Sequence, residues 1–202
     1  MSPLLFGLLL GISSAHALAI LDQYNEASFE GFEIIASEGD AQSVAQTFTV
    51  GITGTLSHIE LDLREGFTGT PTSPLSVQIQ TVSGGLPSGT SLGTNFLYPD
   101  NLTTDFSFIL IDFSSFGITI AVNDVLAIVL SSSEAEYYYA WSFSSQGYGG
   151  GATYTNQGAG WNEQPHDMRF RTYVSPVPEP TTMLLLGSGL LGLWGLRKRI
   201  KK

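Results

Sequence analysis

From Val44 to Val174 apolar and polar residues alternate with a period of two, the spacing that places apolar side chains on one face of a β-strand. Val44, Gln46, Phe48 and Val50 alternate with Ala45, Thr47 and Thr49. Ile59, Leu61 and Leu63 alternate with His58, Glu60 and Asp62, the pattern of a half-buried strand. Leu75, Val77 and Ile79 alternate with Ser76, Gln78 and Gln80. The denser runs Phe106 to Phe113 and Val125 to Leu130 suit inner strands, and Tyr137 to Phe143 and Met168 to Val174 complete the set. Asn123-Asp124, between Ile118–Val122 and Val125, predicts a hairpin turn. The Gly-, Pro- and Ser-rich stretches Gly66–Pro74 and Ser83–Gly93 read as joints. A helical period is confined to the apolar runs at the two ends. About eight to ten short strands of this kind predict an all-β, antiparallel β-sandwich, jelly-roll-like. A body of about 150 residues is enough for one two-sheet core.

The terminal runs divide the chain. Leu4 to Ile12 is apolar and leads to Ser13-Ser14-Ala15-His16-Ala17-Leu18-Ala19, with small residues at A-x-A spacing. Residues 1–19 are therefore expected to be a secretory signal peptide, although no Lys or Arg precedes the run. Residues 20–175 form the expected sandwich body, and 176–202 a distinct tail. In the tail, Thr181 to Leu196 is a 16-residue stretch without charge, followed by Arg197, Lys198, Arg199, Lys201 and Lys202. As a helix it would reach about 24 Å, a short transmembrane span whose basic end stays in the cytoplasm. Both ends then agree on one topology, with the body across the membrane. Pro176, Pro178 and Pro180 hold the segment before the span extended.

Val177-Pro178-Glu179-Pro180, an apolar span and Arg197-Lys198-Arg199, in that order at the C-terminal end, resemble the PEP-CTERM protein-sorting signal of Gram-negative bacteria. The resemblance implies an exosortase as partner, a membrane-embedded cysteine enzyme that cleaves near the motif. It makes Pro178, Glu179 and Pro180 recognition residues of a substrate. The tail is then a temporary anchor; on physical grounds alone a permanent one fits equally. Ala45-Gln46-Thr47-Phe48-Thr49-Val50, Gly54-Thr55-Leu56, Gly84-Gly85-Leu86-Pro87-Ser88-Gly89 and Asp167-Met168-Arg169-Phe170-Arg171 loosely resemble exported domains of this sorting class. The implied localisation is the cell surface or the extracellular matrix.

Charge narrows the partners. Between Leu18 and Ser175 there are 17 Asp and Glu against Arg64, Arg169 and Arg171, about −14 in all. Such a body repels nucleic acid, which excludes it as a partner. Cysteine is absent, so there is no disulfide, thiolate metal site or cysteine nucleophile. The acidity serves solubility or, at Asp22, Asp40 and Asp167, ligation of Ca²⁺; no other cofactor is expected.

Between Tyr137 and Trp161 lie eight aromatics. Tyr138, Tyr148, Tyr154 and Trp161 are candidates for stacking on sugar rings, with Asn156, Gln157 and Asn162 to bond hydroxyls. The alternative is that Tyr139, Trp141 and Phe143 are core and the rest ordinary loop residues. His58 and His166 are far apart, and neither a nucleophile elbow nor a P-loop occurs. Glu134 and Glu136 are the one carboxylate pair near the aromatics. The reading is a non-enzymatic exported protein that binds extracellular polysaccharide; the alternative is a secreted hydrolase acting on it.

Overall fold

A computed structural model describes residues 18–36, 43–66, 69–133 and 137–177. Most of the expected signal peptide, the tail from Pro178 onward with Glu179 and Pro180, and also Asp40, Glu134 and Glu136, lie outside the described residues. Among the described residues no helix is long and apolar enough to cross a membrane.

The described chain folds into two antiparallel sheets packed face to face. Sheet A holds β1 (Ile20–Asn25), β2 (Gly31–Ile35), β4 (Gly54–Glu65), β7 (Ser107–Asp112), β8 (Thr119–Ile120), β10 (Tyr139–Ser144), β13 (Asp167–Met168) and β14 (Phe170–Pro176). Sheet B runs in the order β12 (Trp161–Gln164), β11 (Thr153–Asn156), β3 (Ser43–Thr49), β9 (Val125–Ser131), β5 (Leu75–Ser83), β6 (Leu86–Leu97). The long β4 organises sheet A. It pairs with β14 over Gly54–Leu61 and with β10 over Leu63–Glu65, while β7 and β8 take its other edge. The sheet forks at Arg169. Its amide donates to the Ser142 carbonyl at 2.9 Å, and its carbonyl accepts from Asp62 N at 3.3 Å and from Trp141 Nε1 at 2.9 Å.

The alternation seen in the sequence sets the core. Ile59, Leu61 and Leu63 of β4 and Val77 and Ile79 of β5 turn inward with no exposure, against Phe48, Tyr139, Trp141 and Phe170. Each such side chain contributes about 1.5–3 kcal/mol on burial.

Three expectations need correction. The stretch Ser83–Gly93, expected as a joint, instead holds most of a strand, β6, which runs from Leu86 to Leu97. Gly84 and Gly85, at φ +61° and +86°, make the tight turn that pairs β6 to β5, and β6 lies at a sheet edge where polar residues suffice. The Ala121–Asp124 turn, with Asn123 at φ 72°, is not a hairpin, because β8 pairs in sheet A and β9 in sheet B. It is an arch between the sheets. The dense Phe106–Phe113 run is not an inner strand: β7 borders β4 with Leu110 56% exposed.

Candidate functional site

Two stretches noted in the sequence, Ala45–Val50 and Asp167–Arg171, meet inside the sandwich. Gln46 is fully buried and uses its whole amide. Nε2 donates to Asp167 Oδ1 and to the Thr47 carbonyl, both at 3.0 Å. Oε1 accepts from Thr153 Oγ1 at 2.6 Å and from Met168 N at 2.8 Å. Asn25 Nδ2 donates to the Asp167 and Met168 carbonyls at 3.2 and 3.1 Å. This polar plug ties β3 of sheet B to β13 of sheet A.

The sequence-derived aromatic set is dispersed. Tyr139 and Trp141 are core residues without exposure. Tyr148 packs edge-on against Phe170, with centroids 5.1 Å apart, and its hydroxyl donates to Gln23 Oε1 at 2.6 Å. Tyr138 lies beside Gly66 and near Arg64. Tyr154 and Trp161 are brought together on the β11–β12 hairpin, over Ala45, Ala127 and Val129 on the outer face of sheet B. Tyr154 is 8% exposed there, so it offers little ring surface. Asn156 and Asn162 bond the hairpin's own loop. Burial, with smaller effects of Asp22 and Asp167, pushes the Tyr148 phenol from 10.0 up to about 12. A raised folded pKa favours the neutral form, so its contribution is complete below pH 10 and lost as pH rises toward 12. Burial raises Tyr154 and Tyr173 as well, so ultraviolet phenolate titration should show a late phase near pH 12 that Tyr148→Phe removes.

The outer face of sheet A carries the richest chemistry, and of the set above Tyr138 alone reaches it, beside Arg64. His58, Glu60, Asp62 and Arg64 alternate outward along β4, opposite the core-facing Ile59, Leu61 and Leu63. All three arginines of the body stand here, each over aromatic rings. Arg171 lies 4.0 Å and Arg169 5.4 Å from the Phe108 centroid, while Arg64 lies 5.2 Å from Phe32 and 5.0 Å from Phe106. Arg171 donates to Glu26 Oε1 and Glu60 Oε2, both at 2.7 Å. Arg169 and Ser142 both donate to Asp62 Oδ2. The hydrogen bond to Glu26 leads in raising the Arg171 pKa further. Tyr173 stacks on His58 at 4.2 Å and 16°, and its hydroxyl donates to Glu60 Oε2 at 3.2 Å. Burial lowers the His58 pKa from 6.5, against the pull of Glu60 and Asp112, so the ring is neutral at pH 7. Sheet register sets Tyr24, Arg171, Glu60 and Leu110 in one row, with Leu21, Tyr173, His58 and Asp112 in the next. Tyr24 and Leu110 are each 56% exposed. The signal for this face was present in the sequence as four polar residues at period two on β4, but its partners lie on β1, β7 and β14.

Among the described residues no three ligating side chains gather as a metal site. Asp22 Oδ1 accepts from Gly51 N at 3.0 Å, and Asp167 is taken up by Gln46 and by Tyr148 N at 2.8 Å. His166 stacks on Phe143 at 3.8 Å with Nε2 3.0 Å from Glu33 Oε1, away from His58.

The class these features define is a two-sheet antiparallel sandwich whose β14, flanked by β1 and β4, leads straight into a sorting segment. Residues 176–199 match the family model described as the PEP-CTERM protein-sorting motif. The motif implies an exported precursor, anchored in a membrane and processed by an exosortase into a surface protein. No curated protein matches the chain. Among solved structures it is similar to the cysteine protease and lectin-like domains of Cwp84, a surface layer associated protein of Clostridium difficile, at 12% identity and a TM-score of 0.42. The alignment covers 73% of this chain and 36% of that one, so this chain spans about a third of the solved chain it matches.

Proposed function

We propose that this exported protein is a non-enzymatic cell-surface or matrix component that binds an uncharged extracellular polysaccharide on the outer face of sheet A. Its body is read as a jelly-roll-like sandwich. Before processing, the uncharged run 181–196 holds it in the membrane, and Pro178, Glu179 and Pro180 are what the exosortase reads. The observation that carries the binding reading is the row Tyr24–Arg171–Glu60, in which an exposed aromatic ring stands beside a fixed guanidinium and carboxylate. A sugar's C–H face packs on such a ring, and paired charged groups bond adjacent hydroxyls. The net −14 of the body disfavours acidic polymers, which leaves neutral ones. Glu60 and Asp62 are both engaged by arginine, which fits a binding face better than a hydrolytic pair.

A glycan array with the mature protein tests this. Tyr24→Ala is expected to abolish retention on the bound glycan while shifting stability by no more than about 0.5 kcal/mol, as befits an exposed position. Retention unaffected by Tyr24→Ala but lost in Trp161→Ala would move the site to sheet B. Release of reducing ends from the retained polymer would favour the hydrolase.

A further inference from the structure

The two ends of the sandwich differ in chemistry. At the end where β14 finishes, Pro176 pairs with Gly54 and Gly54 with Ile120. Val122 N donates to Thr53 Oγ1 at 3.2 Å, and Ile20 pairs with Val174. Val125 opens β9 at this end, and the β5–β6 turn projects past it. The large hydrophobic side chains exposed there include Val177 58%, Val122 48%, Ile20 44%, Val125 43% and Leu86 37%, among the exposed polar residues Thr53, Ser83, Ser88, Thr119, Asn123 and Asp124. The segments forming it, 18–22, 49–54, 82–88, 117–125, 148–151 and 174–177, contain no Lys, Arg or His. Their carboxylates are Asp22 and Asp124, and each accepts a backbone N–H, from Gly51 at 3.0 Å and Ala121 at 2.8 Å. Segments at the opposite end, where β4 and β6 finish, carry Glu65, Asp100 and Asp105.

We infer that this aliphatic end rests on the lipid bilayer in the precursor, so that the body stands upright with its acidic end and both sheet faces presented outward. The inference rests on the membrane-anchored precursor proposed above. Chain length supplies the argument for lipid as the occupant. Four residues, Val177 to Pro180, separate β14 from the uncharged run that begins at Thr181. Fully extended they reach at most about 14 Å. The polar interface on each side of the hydrocarbon is itself about 5–8 Å thick. The end of β14 is therefore kept within a few ångströms of the headgroups, and the rim nearest to it is the aliphatic one, whose two carboxylates, Asp22 and Asp124, are each held by a backbone N–H. Exposed aliphatics at that depth gain by entering the interface, whereas the acidic end facing an anionic leaflet would be repelled.

The absence of cysteine makes the test clean, since a single introduced thiol labels uniquely. The full-length precursor carrying Val122→Cys, Leu86→Cys or Asp100→Cys is labelled with an environment-sensitive fluorophore. It is then reconstituted in vesicles of phosphatidylethanolamine and phosphatidylglycerol in equal parts, with a nitroxide lipid as quencher. All three positions are exposed, and unchanged unfolding midpoints verify the variants. Flotation with the vesicles and several-fold stronger quenching at positions 122 and 86 than at 100 are expected. Flotation with equal quenching at all three overturns the upright contact and leaves the anchor standing. Failure to float overturns the anchor and this inference with it. Quenching of 122 and 86 that appears only after an exosortase is co-reconstituted would assign the rim to that protein and overturn the lipid contact.

Discussion

Gln46→Leu is expected to destabilise the sandwich by about 4 kcal/mol, enough to unfold a marginally stable domain. Leucine is close in size, so the cost is not a cavity. It strands what the amide satisfies: one oxygen of the buried Asp167 carboxylate, the Thr153 hydroxyl and the Met168 N–H. Each buried group left without a partner costs about 1–3 kcal/mol, and more when it is charged. Because the plug joins β3 to β13, its loss weakens the contact between sheets. Urea unfolding of the mature protein measures this. Gln78→Leu, on the half-exposed outer face of sheet B, is the control and should cost less than about 1 kcal/mol. Equal losses in the two variants would show that the plug contributes nothing particular.

Gly151→Ala should cost about 3 kcal/mol, the upper end of what overpacking does. A methyl group built there would meet the Thr47 carbonyl oxygen at 1.8 Å and its carbon at 2.5 Å, both rigid backbone. Relief requires moving the segment that bonds β3 through Thr47 N to the Ala152 carbonyl and Ala152 N to Thr47 Oγ1, both at 2.9 Å. Gly149→Ala meets nothing within 4 Å and should be near neutral. Similar unfolding midpoints for the two alanine variants would contradict the close approach of this loop to β3.

The strands with one apolar face were legible in the sequence because period two is a local property: β3, β4 and β5 lie where the alternation puts them, and the dense run Val125–Leu130 lies in the inner strand β9. β6 was not, since LPSGTSLGTNFL has turn-like composition and becomes a strand only because a two-glycine turn delivers it to β5. The sorting tail was legible for a simple reason: motif, apolar run and basic cluster are contiguous. The face on sheet A is the opposite case. Arg171 and Glu60 are 111 residues apart, and Tyr24 is farther still from Arg171, so strand order alone makes them neighbours. The eight aromatics that cluster in the sequence are separated in space. The chain from Tyr137 to Trp161 passes from sheet A to sheet B, sending Trp141 to the core, Tyr148 to a seam and Trp161 to an outer face.

The central claim is that this chain is an exported precursor whose tail is removed by an exosortase. Intact-mass measurement of the protein recovered from its native cell surface tests it most directly. The account predicts a mass that lacks Arg197–Lys202 and ends near Pro180. A surface protein whose mass still includes that basic tail would contradict it.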